Sequence, residues 1–244
     1  LRTYENAESA ILYGIEVSQR QSLAPLGDWG RWFYYKLNGA WIDSEVEIGP
    51  YVVIEGPVRI KRGTRVMAHA YLAGWTEIGE SNEIHPGVVL GEAPQDKAYK
   101  GEETYLRIGA HNVFREYVQV HRGSAPGSST TIGNENFLMA CSHVGHNSKL
   151  GDQVIRANNA LLGGYVEVGN SVFISGNCVV HQFVRIGDYA LMRGLSGTSR
   201  DVPPYAIIDW QHTVRGVNVV GLKRAGFDDQ RIREIREAFR ILFR

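Results

Sequence analysis

Residues 132–197 read IGNENFLMACSHVGHNSKLGDQVIRANNALLGGYVEVGNSVFISGNCVVHQFVRIGDYALMRGLSG. Every sixth residue is medium or large: Ile132, Leu138, Val144, Leu150, Arg156, Leu162, Val168, Ile174, Val180, Ile186 and Met192. Only Arg156 among them is not apolar. The fifth residue of the hexad is usually small or β-branched, as at Ser142, Ser148, Val154, Ala160, Val166, Val172, Cys178, Val184, Ala190 and Ser196. Neither a 3.6-residue helical period nor a plain alternating strand yields such a series. A six-residue period marks a parallel β-helix in which each hexad makes one short strand and a corner. In the left-handed form three hexads close a triangular coil, so residues eighteen apart stack at the strand spacing of ~4.8 Å. The expected fold is mainly β, a left-handed parallel β-helix with a C-terminal α-helical segment.

Working outward, the same spacing runs earlier through Ile42, Ile48, Ile54, Ile60, Val66, Leu72, Ile78, Ile84 and Leu90, and resumes at Ile108, Phe114 and Val120. Two polar stretches break it, 91–107 (GEAPQDKAYKGEETYLR) and 122–131 (RGSAPGSSTT), and read as loops thrown out from the prism. The β-helix is expected over 41–200. Arg156 at an inward position would be costly without partners. Residues 1–40 form an unassigned N-terminal appendage, with a possible helix over 7–19 and the aromatics Trp29, Trp32, Phe33, Tyr34 and Tyr35. After Gly197 the period ends. Pro203-Pro204 cannot continue a ladder, and 201–244 is expected to be helical, over 216–224 and 228–244. Asp228 or Asp229 can cap the second helix, whose apolar face is Ile232, Ile235, Phe239 and Leu242. Arg231, Arg233, Arg236, Arg240 and Arg244 make the rest of it basic, which would suit an acidic partner. The chain begins at Leu1 and stops inside this helical pattern, so the C-terminal segment is expected to be cut short.

Net charge is zero, which argues against nucleic acid as a bulk electrostatic partner. Two cysteines, Cys141 and Cys178, give no disulfide framework and suit a reducing, cytoplasmic compartment. No signal peptide or membrane span is evident.

Chemistry concentrates in Cys141-Ser142-His143-Val144-Gly145-His146-Asn147 and, two coils on, His181-Gln182. Eighteen-residue stacking puts Gly164 between His146 and Gln182 on one side of the prism. A histidine can take a proton near neutral pH. A glycine there leaves a backbone N–H open to an oxyanion. Together they make a plausible acyl-transfer site. Two other readings stand beside it: exposed corner residues without a role, or a zinc site built from His121, His143 and His146.

From Ala40 to Arg244 the chain resembles the bacterial acyl-carrier-protein–UDP-N-acetylglucosamine O-acyltransferase family, which opens lipid A biosynthesis. The resemblance rests on GEAPQDKAYKGEET, VHRGS, LMACSHVGHNSKLGD, ANNALLGGYVEVG, VVHQFVRIG, SRDVPPYAI and GVNVVGLKRAGF, in the family's order and spacing. It implies a homotrimer with sites between subunits, an acyl-carrier-protein donor and a UDP-N-acetylglucosamine acceptor, with no cofactor and no metal. His146 would be the general base and the Gly164 N–H the oxyanion donor. Asp96, His143, His181 and Gln182 would hold the sugar and the acceptor pocket. Asn218 and Arg224 would contact the nucleotide, and Gly194 would limit acyl length. Four positions depart from the family pattern: Tyr165 for a histidine, Ala98 for a lysine next to Lys97, Val220 for an acidic residue, and Arg193 for a small one. The alternatives are an N-acyltransferase on a UDP-amino sugar, a zinc hydratase of the γ-carbonic-anhydrase type, and a non-catalytic nucleotide-sugar-binding scaffold.

Overall fold

The computed structural model describes residues 39–243 together with the backbone of two earlier strands, Gln19–Ser22 and Tyr34–Leu37. The helix expected over 7–19 and the aromatic cluster of the appendage lie outside the described residues, apart from these strands. Tyr34–Leu37 pairs antiparallel with Gln19–Ser22 and parallel with the first coil, Lys36 against Val53.

Three sheets of ten, ten and eight strands form the walls of a left-handed prism. One wall stacks His143–Val144, Leu161–Leu162 and Val179–Val180 at eighteen-residue register. A second stacks Phe137–Leu138, Ile155–Arg156 and Phe173–Ile174, and a third Lys149–Leu150, Glu167–Val168 and Arg185–Ile186. The second residue of each pair points inward. Leu72, Ile78, Ile84, Leu90, Leu138 and Ile174 are fully buried in this way, each contributing about 1.5–3 kcal/mol of apolar burial.

The corners explain why so few residues make each turn. From Glu135 to Leu195 every sixth residue is non-glycine with φ between 54° and 68°. This left-handed conformation is unfavourable for an L-residue by roughly 1–2 kcal/mol. It persists because the ladder captures each corner: Tyr165 N–H donates to His146 O (2.9 Å) and Phe183 N–H to Gly164 O (3.1 Å). Inside one corner a ladder of buried asparagines does the same, the Oδ1 of Asn82 and of Asn112 each taking a backbone N–H from the following coil.

The two excursions appear as jumps in register. Val89 pairs with Gln119, thirty residues on, and Tyr105 with Ser129, twenty-four on. The first loop is shorter than the polar composition suggests, because Val89–Glu92 and Tyr105–Ile108 are strands. Gly91 starts it at φ +77°, where an added Cβ would meet Thr76 Oγ1 and the Ala73 carbonyl oxygen within 2.3 Å. At the far end the ladder outlasts the periodicity. Ala206–Asp209 pairs with Leu191–Met192 at a spacing of sixteen, and Pro203-Pro204 sits in the corner between strands, where no ladder N–H is needed. Thr213–Val217 then pairs antiparallel with Ala206–Asp209 as a hairpin, so Gly216 and Val217 are strand and not helix. Two helices follow, α1 (Val219–Arg224) and α2 (Asp229–Leu242), the latter capped by Asp228 Oδ1 accepting from Arg231 N–H at 2.7 Å. Phe227 packs edge-on against Tyr189 (5.1 Å), which fastens this segment to the prism.

Candidate active site

Stacking brings His146, Gly164 and Gln182 into one corner column, as the eighteen-residue spacing requires. The fit between the first two is tight. A Cβ added to Gly164 would lie 2.7 Å from His146 Cε1 and Nε2, so the imidazole rests on the glycine backbone. The Gly164 N–H donates no hydrogen bond among the described residues. His146 therefore sits beside an unused backbone donor.

The tautomer of His146 follows from its neighbours. Asn147 Oδ1 receives Ser124 N–H (2.9 Å), Ser124 Oγ–H (3.0 Å) and the His146 Nδ1 position (3.0 Å). A backbone N–H can only donate, so the Asn147 atom is the carbonyl oxygen and His146 Nδ1 must carry the proton. Nε2 is left with a lone pair, as a base needs. Asn147 is itself 8% exposed, and its N–H donates to Thr130 Oγ1 at 2.8 Å. Tyr165 meets the His146 ring edge-on at 5.4 Å and stacks on Phe183 at 4.9 Å. Tyr165 is thus a wall of the pocket around His146.

Next to this corner lie two more imidazoles, His121 and His143, with ring centroids 5.2 Å apart. Among the described residues both Nε2 atoms are buried without a partner. His121 Nδ1 contacts the Ala93 carbonyl oxygen at 2.7 Å, tying the strand to the base of the first excursion. Burial is the main cause that lowers the pKa of each. For His143 the added charges of His121 and Arg156 bring it down to about 4, so it is neutral at physiological pH. Among the described residues no group of three histidine, cysteine or acidic side chains is placed to hold a metal ion.

Asp96 is carried by the excursion. Its carboxylate accepts the Ala98 N–H at 2.9 Å, and Lys97 beside it is exposed. Arg122 clamps this loop: Nη1 donates to Gly91 O (2.6 Å), Nη2 to Tyr99 OH (3.0 Å), and the guanidinium lies over the Tyr99 and Trp75 rings. Gln182 is exposed on the His146 column and His181 is exposed beside it, on the column of Gly145 and Gly163, with His181 Nδ1 3.2 Å from the Gln182 carbonyl oxygen.

The remaining candidates lie elsewhere. Gly194 is on the corner at the other edge of the same wall, above Gly176, whose carbonyl oxygen an added Cβ would meet at an ordinary 3.6 Å. Its neighbour Arg193 is paired with Asp209 at 2.9 Å. Asn218 is 6% exposed and fully engaged, with Oδ1 accepting Gly221 N–H as the α1 cap and Nδ2 donating to Tyr189 O. Arg224 is exposed at the end of α1, and Val220 is exposed at its start. Sequence reasoning assigned no role to Asn147, Ser124 or Arg122. Asn147 follows His146 directly, and that adjacency is the available signal. Ser124 meets it only because the second excursion folds back, which no periodicity encodes.

Residues 201–244 match the family model described as UDP N-acetylglucosamine O-acyltransferase, domain 2. The acyl-[acyl-carrier-protein]–UDP-N-acetylglucosamine O-acyltransferase of Thermodesulfovibrio yellowstonii is 47% identical over 207 residues, which span 84% of this chain and 80% of that one. The same-named protein of Halorhodospira halophila is 46% identical over equal shares. Among solved structures, the UDP-N-acetylglucosamine acyltransferase of Francisella novicida is similar at a TM-score of 0.81 and 32% identity, covering 84% of this chain and 76% of that one.

Proposed function

Because the chain belongs to the UDP-N-acetylglucosamine O-acyltransferase family, we propose that it transfers a 3-hydroxyacyl group from acyl carrier protein to the 3-hydroxyl of UDP-N-acetylglucosamine, with His146 as general base. The observation that carries the residue assignment is the locked imidazole. Its Nδ1 is spent on Asn147 and its Nε2 lies against Gly164.

The step runs as direct attack. His146 Nε2 takes the proton of the sugar hydroxyl as its oxygen bonds to the thioester carbonyl carbon. The carbonyl oxygen becomes an oxyanion and takes the unused Gly164 N–H. Such a preorganised donor is worth about 3–4 kcal/mol in acyl transfer. Collapse breaks the carbon–sulfur bond, and the departing carrier-protein thiolate takes the proton back from the imidazolium. Asn147 keeps Nδ1 protonated throughout, so the proton moves only at Nε2. His143, neutral and with its Nε2 unpaired, is suited to hydrogen-bond the sugar. Asp96, His181 and Gln182 offer further polar anchors. Arg224 suits the diphosphate, and Gly194 leaves room for the acyl chain. Asn218 acts toward the nucleotide through the helix start that it caps. The working form is a cytoplasmic homotrimer in which a neighbouring subunit completes each site.

Mass spectrometry of products from a mixed pool of acyl-carrier-protein thioesters and UDP-sugars tests this. The pool contains UDP-N-acetylglucosamine and its 3-amino analogue. An O-acylated UDP-N-acetylglucosamine is expected, whereas acylation of the amino sugar alone, or no acylated product, contradicts the reading.

A further inference from the structure

Arg156 occupies an inward position between Leu138 and Ile174 in one column of the prism. It is fully buried, and among the described residues no carboxylate pairs with it. An aliphatic side chain would fill this place, as one does in the coil before and the coil after. Its Nε and Nη1 have no partner, whereas Nη2 donates to His143 O and to Ala160 O, both at 2.6 Å. The Ala160 carbonyl also receives the His143 N–H at 3.0 Å. One nitrogen thus holds the carbonyl of residue 143, three residues before the base, and shares with its N–H the Ala160 carbonyl oxygen.

We propose that Arg156 is a positioning residue of the acyl-transfer site: caged in the prism, its guanidinium pins the backbone of His143 and sets a fixed positive charge behind the His143 imidazole. The proposal rests on the acyl-transfer reading above. A buried ion retained against its desolvation cost at a site-bearing coil is the kind of local rule-breaking that marks function. The charged and titratable groups facing His143 are His121 from the preceding coil, His146 from its own corner and Arg156 from inside the prism, while Leu161 and the Leu162 backbone face it from the following coil. Burial is the main cause that keeps His143 neutral, with the charges of His121 and of the guanidinium adding to it, and the proton taken in turnover is confined to His146. A protonated His143 beside the base would oppose that transfer by like-charge repulsion.

The test compares Arg156→Leu, Arg156→Met and Arg156→Lys with the unaltered full chain by thermal melting, NMR titration of the His143 ring, and kcat/KM as a function of pH. We expect both apolar variants to fold, the His143 titration to move to higher pH, and kcat/KM to fall roughly ten- to a hundredfold through lost positioning, with an altered acid limb. Arg156→Lys should recover part of both readouts. Folded apolar variants with an unmoved His143 titration and an unchanged pH profile would overturn the proposal. So would failure of both to fold, since the guanidinium would then be a brace for the prism. The NMR titration needs no turnover. Absence of product from the unaltered protein therefore counts against acyl transfer, and an immobile His143 titration against the role of Arg156.

Discussion

Gly164→Ala puts one methyl group where the base now lies. Its Cβ would sit 2.7 Å from both Cε1 and Nε2 of His146. Ordinary contact is about 3.5–4.0 Å, so the ring must retreat by roughly 1 Å. It cannot do so freely, because Nδ1 is held 3.0 Å from Asn147 Oδ1 and Tyr165 closes the edge at 5.4 Å. Gly164 does not have a left-handed φ, so alanine brings no backbone penalty and the effect falls on the imidazole. A displacement of this size costs about a hundredfold in turnover. The expected result is a hundredfold lower kcat with UDP-N-acetylglucosamine and a hydroxyacyl carrier protein, while the melting temperature changes little. A folded Gly164→Ala enzyme with near-native kcat would refute the reasoning, because the packed imidazole would then not be the reacting one.

Three further outcomes follow from the same geometry. Asn147→Ala removes the acceptor that fixes the His146 tautomer, so kcat should fall about ten- to a hundredfold with a small change in melting temperature; unchanged kinetics would mean the ring is held otherwise. His143 has a folded-state pKa of about 4, below its unfolded value of about 6.5. The unfolded chain thus binds the extra proton between these values, and stability is lost as pH falls through that window, by about 3 kcal/mol in all. Urea unfolding at pH 7, 5.5 and 4.5 measures this, and His143→Asn should flatten the dependence. Arg156, held by burial at about 9, well below the ordinary arginine range, carries roughly 5 kcal/mol of desolvation. Two charge-assisted hydrogen bonds offset about 3 kcal/mol of it, so Arg156→Leu should stabilise by about 2 kcal/mol. A lower urea midpoint would contradict that.

The prism was legible from the six-residue period alone, because each inward side chain must be apolar and each wall repeats at eighteen residues. That period also aligned His146, Gly164 and Gln182. It failed where residues are added or lost. The last coil at Ala206–Asp209 is hidden by a two-residue shortening, although its ladder to Leu191–Met192 is intact. The first excursion looked too long because Tyr105 and Arg107 are outward-facing strand residues and read as loop. The Asn147–Ser124 latch and the Arg122 clamp depend on how the excursions close, and short-range pattern does not carry that. Arg156 was visible as an anomaly, but one of its two carbonyl partners, His143 O, lies in a strand of the preceding coil that only stacking brings close, while Ala160 O follows four residues on.

The most direct test is the initial rate of acylated UDP-sugar formation by His146→Ala, measured on protein whose melting curve matches the unaltered chain. If His146 is the base, the rate falls by about 10²–10⁴-fold. A rate close to that of the unaltered protein would contradict the assignment.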